Sequence, residues 1–413
     1  MSTLQVVIFD YTTLKDVPTE HLSALQDLIQ KFRTVGVKFA VFSNDSVDLT
    51  ATLQRNALPE VDLFLTAADV GKKKGAKVWI TRAAEVMNCA PHQMLYIGDS
   101  FNDWTTAINS AVMYLQARWS QARPLGKESL QVDTPDDIWV FATHFLLQPP
   151  RWQYKLDGQQ SYLRCLLNAR TRLPGTIVSE RASSEGFELK DIFTYKQDIQ
   201  IGAWSGRDAL MLHAITSLYL EGLIPQGTFF AAYPSHTPRT HDPLIDDWFR
   251  PAAKTFHGWF KEDLLVRAQA APDTSKLRAT KRQATPEMQM STVHVKADYR
   301  HKLSGRTVVL IDDFTTEGTS LEWGRRLLLA AGAARVVLLA VGKFGRRIPL
   351  THSGYVFNSE PSLDPFSVTE ESFDTLFTAH PLTLQADDDA AKRIGSSFEF
   401  MRNDAAYVTV VDV

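Results

Sequence analysis

The chain has 413 residues, 44% of them hydrophobic and 22% charged, enough for two ordinary domains with a core each. Its 44 lysines and arginines nearly balance 47 aspartates and glutamates, so no global positive field draws it to nucleic acid or to an anionic membrane. Cys89 and Cys165 lie far apart and outside any CxxC pattern, which excludes a disulfide framework and a cysteine zinc site.

The N-terminus enters an apolar strand at once (Leu4 to Phe9) with no basic leader. No apolar run approaches the roughly 18 residues of a spanning helix, so the expectation is a soluble, cytoplasmic protein. Residues 1–120 then alternate LQVVIF, a helix from about Ser23, VKFAVF, VDLFL, a helix from about Lys77, MLYIGD and AVMYL. Strands alternating with helices predict an α/β domain with a parallel sheet covered on both faces. Three strands end in polar chemistry: Asp10 follows LQVVIF, Ser43 and Asn44 follow VKFAVF, and Asp99 and Asp103 lie in GDSFND. Open α/β sheets collect their ligands at this C-terminal edge. The run Lys72 to Lys74 precedes the helix leading into MLYIGD.

This set and order resemble the haloacid dehalogenase-like hydrolases. The resemblance implies a Rossmann-like fold in which Asp10 is the nucleophile, Ser43, Asn44 and Lys72 or Lys74 hold phosphate, and Asp10, Asp99 and Asp103 hold Mg2+. A carboxylate would attack phosphorus while the cations neutralise both anions. Thr12 stands where phosphatases of that superfamily carry an acid/base aspartate, and cation-pumping ATPases of the superfamily also carry threonine there. A slow phosphatase, a phosphotransferase and a phosphate-binding relic all remain open. Only 32 residues separate Asp10 from Ser43, and 28 separate Ser43 from Lys72, little room for a cap domain. The site is expected to be open, or covered by the rest of the chain or a partner protein.

Residues 121–185 lose the rhythm and read as a connector or helical insert, with a helical run near Tyr162 to Leu173. Alternation resumes in 186–350, with FELKDIFTY, a helix around Asp208 to Leu220, and strands at GTFFAAY, DLLVRAQ, STVHVKA, TVVLIDD and RVVLLAVG. This predicts a second doubly wound, mostly parallel-sheet domain. Residues 351–413 read as a C-terminal extension packed on either domain.

In the second domain VVLI runs into Asp312 and Asp313, a small-residue loop (Thr315, Thr316, Glu317, Gly318, Thr319, Ser320) and a helix from Leu321. Paired aspartates at a strand end can address a diol and a metal-bound water, and a helix N-terminus after a glycine-bearing loop favours a phosphate dianion. This layout resembles the phosphoribosyl pyrophosphate (PRPP) motif of type I phosphoribosyltransferases, most nearly their competence-associated branch. The resemblance implies a type I phosphoribosyltransferase fold that uses Mg2+, with Asp312 and Asp313 on the ribose hydroxyls and Thr315, Thr316 and Gly318 to Ser320 around the 5-phosphate. Glu317 replaces a small residue. Tyr233, Ser235 and His236 fall where that family has its pyrophosphate loop. Lys276 and Arg278, with Lys281 and Arg282, fall where it has a mobile loop closing over the leaving pyrophosphate, a catalytic role for these cations together with Asp313.

His92, His144, His213 and His257 stand singly without metal-ligand spacing, and Trp248 and Trp259 are expected to pack rather than stack on a base. Three functions follow. The first is a phosphoribosyltransferase acting on PRPP or nucleotide substrates, fused to a phosphohydrolase or phosphotransferase. The second is a module sensing PRPP or nucleotides for a partner. The third is a nucleotide-depleting effector, by resemblance to hydrolase-phosphoribosyltransferase fusions of bacterial stress and antiviral defence clusters. A homo-oligomer fits each of them.

Overall fold

The structure, a computed structural model, describes residues 3–120, 125, 129–174, 176–177, 187–191, 199–201, 204–238, 243–256, 258–272, 285–345, 356–357, 363–378, 382, 384–403 and 409–410. The first sheet holds β1 (Val6–Asp10), β2 (Lys38–Ser43), β3 (Leu63–Thr66), β4 (Met94–Gly98), β5 (Met113–Ala117) and β6 (Leu130–Val132). Their spatial order is β6-β5-β4-β1-β2-β3, parallel throughout. All five residues of β1 and of β4 are buried, as strands covered on both faces require. The helix Thr19–Thr34 turns Leu25, Leu28, Ile29 and Phe32 to the core, a single stripe at helical spacing.

The second sheet holds β7 (Tyr154–Asp157), β8 (Ser161–Asn168), β9 (Phe229–Ala232), β10 (Trp259–Phe260), β11 (Thr307–Thr315), β12 (Arg335–Lys343) and β13 (Gln385–Ala386). Its order is β10-β9-β11-β12-β8-β7-β13. The first five are parallel, while β7 and β13 run antiparallel to their neighbours. The fold class is therefore α/β with two mostly parallel sheets, as the alternating pattern implied. The stretches DLLVRAQ and STVHVKA stand apart from that sheet as an antiparallel ribbon, Leu265–Arg267 against Val293–Val295.

The described residues of 121–185 do not form a helical insert. Leu130–Val132 and helix Pro135–Phe141 complete the first unit, and the expected helix near Tyr162 is β8, a central strand pair with β7 and β12. Arg164 disguised it: its side chain is buried, with the guanidinium neutralised by Asp157 and Glu221, each at 2.7 Å. Of FELKDIFTY, Phe187–Glu188 is a short strand and residues 192–198 lie outside the described residues. The C-terminal segment joins both sheets rather than one, β13 on β7 and β14 (Thr409–Val410) on β6.

One continuous buried cluster links the sheets. It runs from Val7, Phe9 and Ile97 through Phe145, Leu210 and Tyr219 to Phe230, Ile311 and Leu339. The helix Gly206–Leu220 sits in this middle layer and is buried nearly all round, which a helix between two sheets must be. Its Tyr219 hydroxyl donates to Pro91 O at 2.8 Å and also reaches Met94 O, and Leu4 N donates to Leu146 O at 3.0 Å. All three contacts touch the N-terminal edge of the first sheet.

Candidate functional site

The opposite, C-terminal edge of the first sheet carries the polar strand ends. Asp10, 2% exposed, ends β1 and caps the short helix Tyr11–Lys15, its carboxylate accepting from Thr12 N at 3.0 Å. Thr12 Oγ1 donates to Asp10 Oδ2 and lies 3.2 Å from Asp99 Oδ1, so one hydroxyl joins the two carboxylates. Ser43 ends β2, its Oγ accepting from Asp45 N at 3.2 Å. Asn44 Oδ1 accepts from Lys74 N at 2.7 Å, and Gly75 N donates to Thr106 Oγ1 at 2.6 Å. These two bonds fix the backbone so that Lys74 Nζ reaches Asp10 Oδ1 and, at 2.7 Å, Asp103 Oδ1. Lys72 is exposed, with only its carbonyl engaged, by Trp79 Nε1 at 2.9 Å. Of the two candidate lysines, the geometry brings Lys74 to the site.

Asp10, Asp99 and Asp103 offer carboxylate oxygens within 4.8 Å of one another, a hard-oxygen cluster of the type that holds a divalent cation. Asp103 is already committed. Its Oδ1 accepts from Lys74 Nζ and from the Tyr96 hydroxyl at 2.8 Å, and its Oδ2 from Ser100 N at 3.1 Å and Ser100 Oγ. Four donors fill the roughly four lone-pair sites of a carboxylate. Asp10 and Asp99 accept fewer bonds, while Asp103 orients the lysine. Neither Tyr96 nor Ser100 was legible as a site residue. Gly98 is required here, because a Cβ on it would lie 2.5 Å from Asp103 Cβ.

Burial, reinforced by the charge of Asp103 and opposed by Lys74, raises the Asp10 carboxyl to about 6. Burial likewise raises Asp99. For Lys74 burial acts downward, but the charges of Asp103 and Asp10 outweigh it and raise its pKa. Such an arrangement presents an ionisable carboxyl beside a fixed cation at the C-terminal edge of the sheet. No inserted domain stands between β1 and β2, where the described residues form the helices Tyr11–Lys15 and Thr19–Thr34.

The second sheet carries its own cluster at its C-terminal edge. Asp312 and Asp313 lie near the end of β11, both half-buried, and Gly318 adopts φ +82° as the cap of helix Thr319–Ala330. Phe314 N donates to Asp313 Oδ1 at 2.6 Å, and Asp313 N to Asp312 Oδ1 at 3.1 Å. Burial, then the charge of Asp313, holds Asp312 well above the usual carboxylate range. Two residues unremarked in the sequence support this loop. Lys343, fully buried at the end of β12, donates from Nζ to Thr316 O at 2.8 Å and Phe344 O at 2.9 Å. Burial lowers its pKa. Arg267, 4% exposed, bonds Thr292 Oγ1 at 2.7 Å, Gln289 Oε1 at 3.2 Å, Pro234 O at 3.3 Å and Ser235 O. It thereby fixes the Tyr233–Ser235 turn, and Tyr233 N is tied to Ile311 O at 2.8 Å. A charged residue inside an apolar run, in LLVRA and LLAVGK, was the signal for both. His236 is exposed, and its carbonyl accepts from Ala271 N at 3.0 Å. Lys276, Arg278, Lys281 and Arg282 lie outside the described residues.

His213 is buried, set between Arg151 Nη1 at 3.1 Å and Ser397 Oγ at 2.8 Å, a packing role as expected of an isolated histidine. Trp259 packs edge-on to Phe229 while remaining 40% exposed. Among the described residues no helix is long and apolar enough to cross a membrane.

Comparison with known proteins bears on the first site. The family model described as haloacid dehalogenase-like hydrolase matches residues 9–117. A HAD-superfamily hydrolase, subfamily IA, variant 1, from Geobacter sulfurreducens PCA shows 14% identity over 33% of this chain and 98% of its own, with a TM-score of 0.25. A predicted phosphoglycolate phosphatase from Haemophilus somnus 129pt shows 13% identity over 34% of this chain and 98% of its own, with a TM-score of 0.28. No curated protein matches the chain. The matched span runs from the end of β1 through β5 and holds every member of the Asp10 cluster, so residues 9–117 are similar to a haloacid dehalogenase-like hydrolase domain.

Proposed function

We propose that the chain is a two-site enzyme: a phosphoribosyltransferase acting on PRPP or nucleotide substrates, joined to a phosphohydrolase or phosphotransferase. The observation that carries the phosphoribosyl reading is β11 with its continuation. Two acidic residues near a parallel strand's end pass into a loop braced from below by Lys343 and closed by a left-handed Gly318 at a helix N-terminus. Asp312 and Asp313 would take the ribose hydroxyls. The free amides of Thr319 and Ser320, at the positive end of the helix, would take the 5-phosphate. The Tyr233–Ser235 turn lies on the neighbouring strand, where a leaving pyrophosphate would sit.

In the first domain Asp10 would attack phosphorus, Lys74 would hold the transferring oxygens, and Ser43 and Asn44 would line the phosphate position. Asp10 and Asp99 would hold Mg2+, which supplies charge neutralisation of the phosphoryl group. Thr12, joined to both carboxylates, has no proton to exchange near neutral pH, so breakdown of a phospho-aspartate would be slow and transfer to another acceptor favoured. Both sites use small anionic molecules, with a second copy or another protein as further partner.

Incubation with PRPP, Mg2+ and a panel of bases and nucleotides tests this, with pyrophosphate and phosphate followed separately. Pyrophosphate release lost in Asp313→Asn but kept in Asp10→Asn is expected. Phosphate release should show the reverse pattern. Binding of PRPP without turnover of any acceptor would overturn the transferase reading in favour of a sensing module.

A further inference from the structure

Arg151 is 4% exposed and lies between the helix Pro135–Phe141 of the first unit and β7 of the second. Its backbone N donates to Ser217 Oγ at 3.0 Å and its Nη1 to His213 Nδ1 at 3.1 Å, both on the helix Gly206–Leu220. An arginine can only donate, so Nδ1 of His213 is the acceptor and Nε2 carries the ring proton. That proton goes to Ser397 Oγ at 2.8 Å, and Ser397 Oγ donates in turn to Ile394 O at 2.8 Å on the helix Asp388–Asn403. The imidazole is held between Phe145, with ring centroids 4.7 Å apart, and Phe398, stacked at 6.1 Å. Burial, then the charge of Arg151, keeps its pKa well below the usual range, so it is neutral.

This chain of bonds supplies no negative charge. Among the described residues no carboxylate pairs with Arg151, and the charge that acts on it is that of Arg393, of the same sign. Burial and that repulsion lower Arg151 to about 10, which leaves it protonated at neutral pH. A buried cation without a counter-charge is costly, and the deficit is recovered only by an anion. With Nη1 spent on His213, the edge formed by Nε and Nη2 has no partner among the described residues. Those two parallel N–H groups match two oxygens of a carboxylate or a phosphoryl group. Arg393 offers a third donor: its Nη2 is taken by Asp387 Oδ2 at 2.5 Å, but its Nε is buried with no partner. Asp387 N donates to Gln153 O at 2.8 Å, which brings this pair against the Arg151–Gln153 segment. Two arginines and one aspartate leave one net positive charge.

We infer that Arg151 and Arg393 form an oxyanion site, which takes the carboxylate or phosphoryl group of a small acidic effector. Arg151 Nε and Nη2 grip two of its oxygens and Arg393 Nε donates to one of them. Neither residue belongs to the Asp10 or the Asp312 cluster, so this is a third site. Its arginines come from the connection between the two units and from the C-terminal helix, so a bound anion clamps that helix in place. Without the anion the two cations repel, and the helix opens more readily.

Amide hydrogen exchange in the helix Asp388–Asn403 of the full chain tests it, at fixed pH and ionic strength, with chloride replaced stepwise by formate, acetate, phosphate or sulfate. An anion that binds only the closed form slows exchange by 1 + [L]/Kd, about tenfold at ten times Kd. A response to formate and acetate marks a carboxylate effector, and one to phosphate and sulfate a phosphoryl effector. Arg151→Met removes the fork and should abolish the response, and Arg393→Gln should weaken the anion about tenfold; thermal unfolding checks that both fold. Phosphate effects on β1 or on the Asp312–Ser320 segment should persist in both variants. The site is overturned if no oxyanion slows exchange in this helix of the wild type, or if Arg151→Met responds as the wild type does. Should Arg151→Met fail to fold, an unaltered response in Arg393→Gln overturns it.

Discussion

Replacing Asp10 by asparagine should make the first domain more stable, and the gain should grow with pH. Asp10 is 2% exposed, and burial raises its carboxyl from 3.8 to about 6 even with Lys74 alongside. A carboxylate whose folded pKa lies above its unfolded value binds a proton in the native state that the unfolded chain has already lost. Stability therefore falls as pH rises from about 4 through 6 and is flat beyond. At roughly 1.4 kcal/mol per unit the cost is on the order of 3 kcal/mol at pH 8 and about half of that at pH 5. Asparagine removes the titration while its Oδ1 still accepts from Lys74. Urea unfolding of both proteins between pH 5 and 8, with amide exchange in β1 and β4 as the local readout, checks the gap. A difference that is independent of pH, or a variant less stable than the wild type at pH 8, would refute burial as the source of the raised pKa.

Thr12→Asp supplies a second carboxyl beside Asp10 and should speed phosphate release from p-nitrophenyl phosphate about a hundredfold; an unchanged rate means that loss of the phosphoryl group is not what limits turnover. Gly98→Ala places a Cβ 2.5 Å from Asp103 Cβ and should cost about 1–3 kcal/mol in urea unfolding, with loss of phosphoryl transfer as Asp103 shifts under Lys74. Lys343→Met removes the bonds to Thr316 O and Phe344 O and should weaken PRPP about tenfold in calorimetry, while equal affinity would show that the loop keeps its shape unaided.

The polar strand ends were legible because each functional group sits next to the apolar run that positions it: Asp10, Ser43, Asp99 and Asp312 all follow buried β residues directly. Lys74 could not be told from Lys72, since three consecutive lysines differ only in backbone path, and that path is set by Asn44 and Thr106 from distant segments. The committed state of Asp103 was hidden for the same reason, with one of its donors, Tyr96, inside the apolar run of β4. β8 was misread as helix because a parallel strand buried on both faces lacks a period of two, and Arg164 broke the apolar run that would have marked it. The ribbon and its Arg267 depend on pairing across nearly thirty residues, which no local pattern records.

The contributions of β13 and β14 bear on how the chain is made. Each covers a sheet edge whose partner strand was synthesised long before, about 230 residues earlier for β7 and about 280 for β6. At roughly 5–20 residues per second, the outer edge of β6 waits about 14–56 s for its cover during translation. Through that interval its unpaired amides and carbonyls are open to any passing strand. Nascent chains stalled before residue 409 should therefore be the aggregation-prone species, and chaperone dependence should fall once Thr409–Val410 pairs with β6.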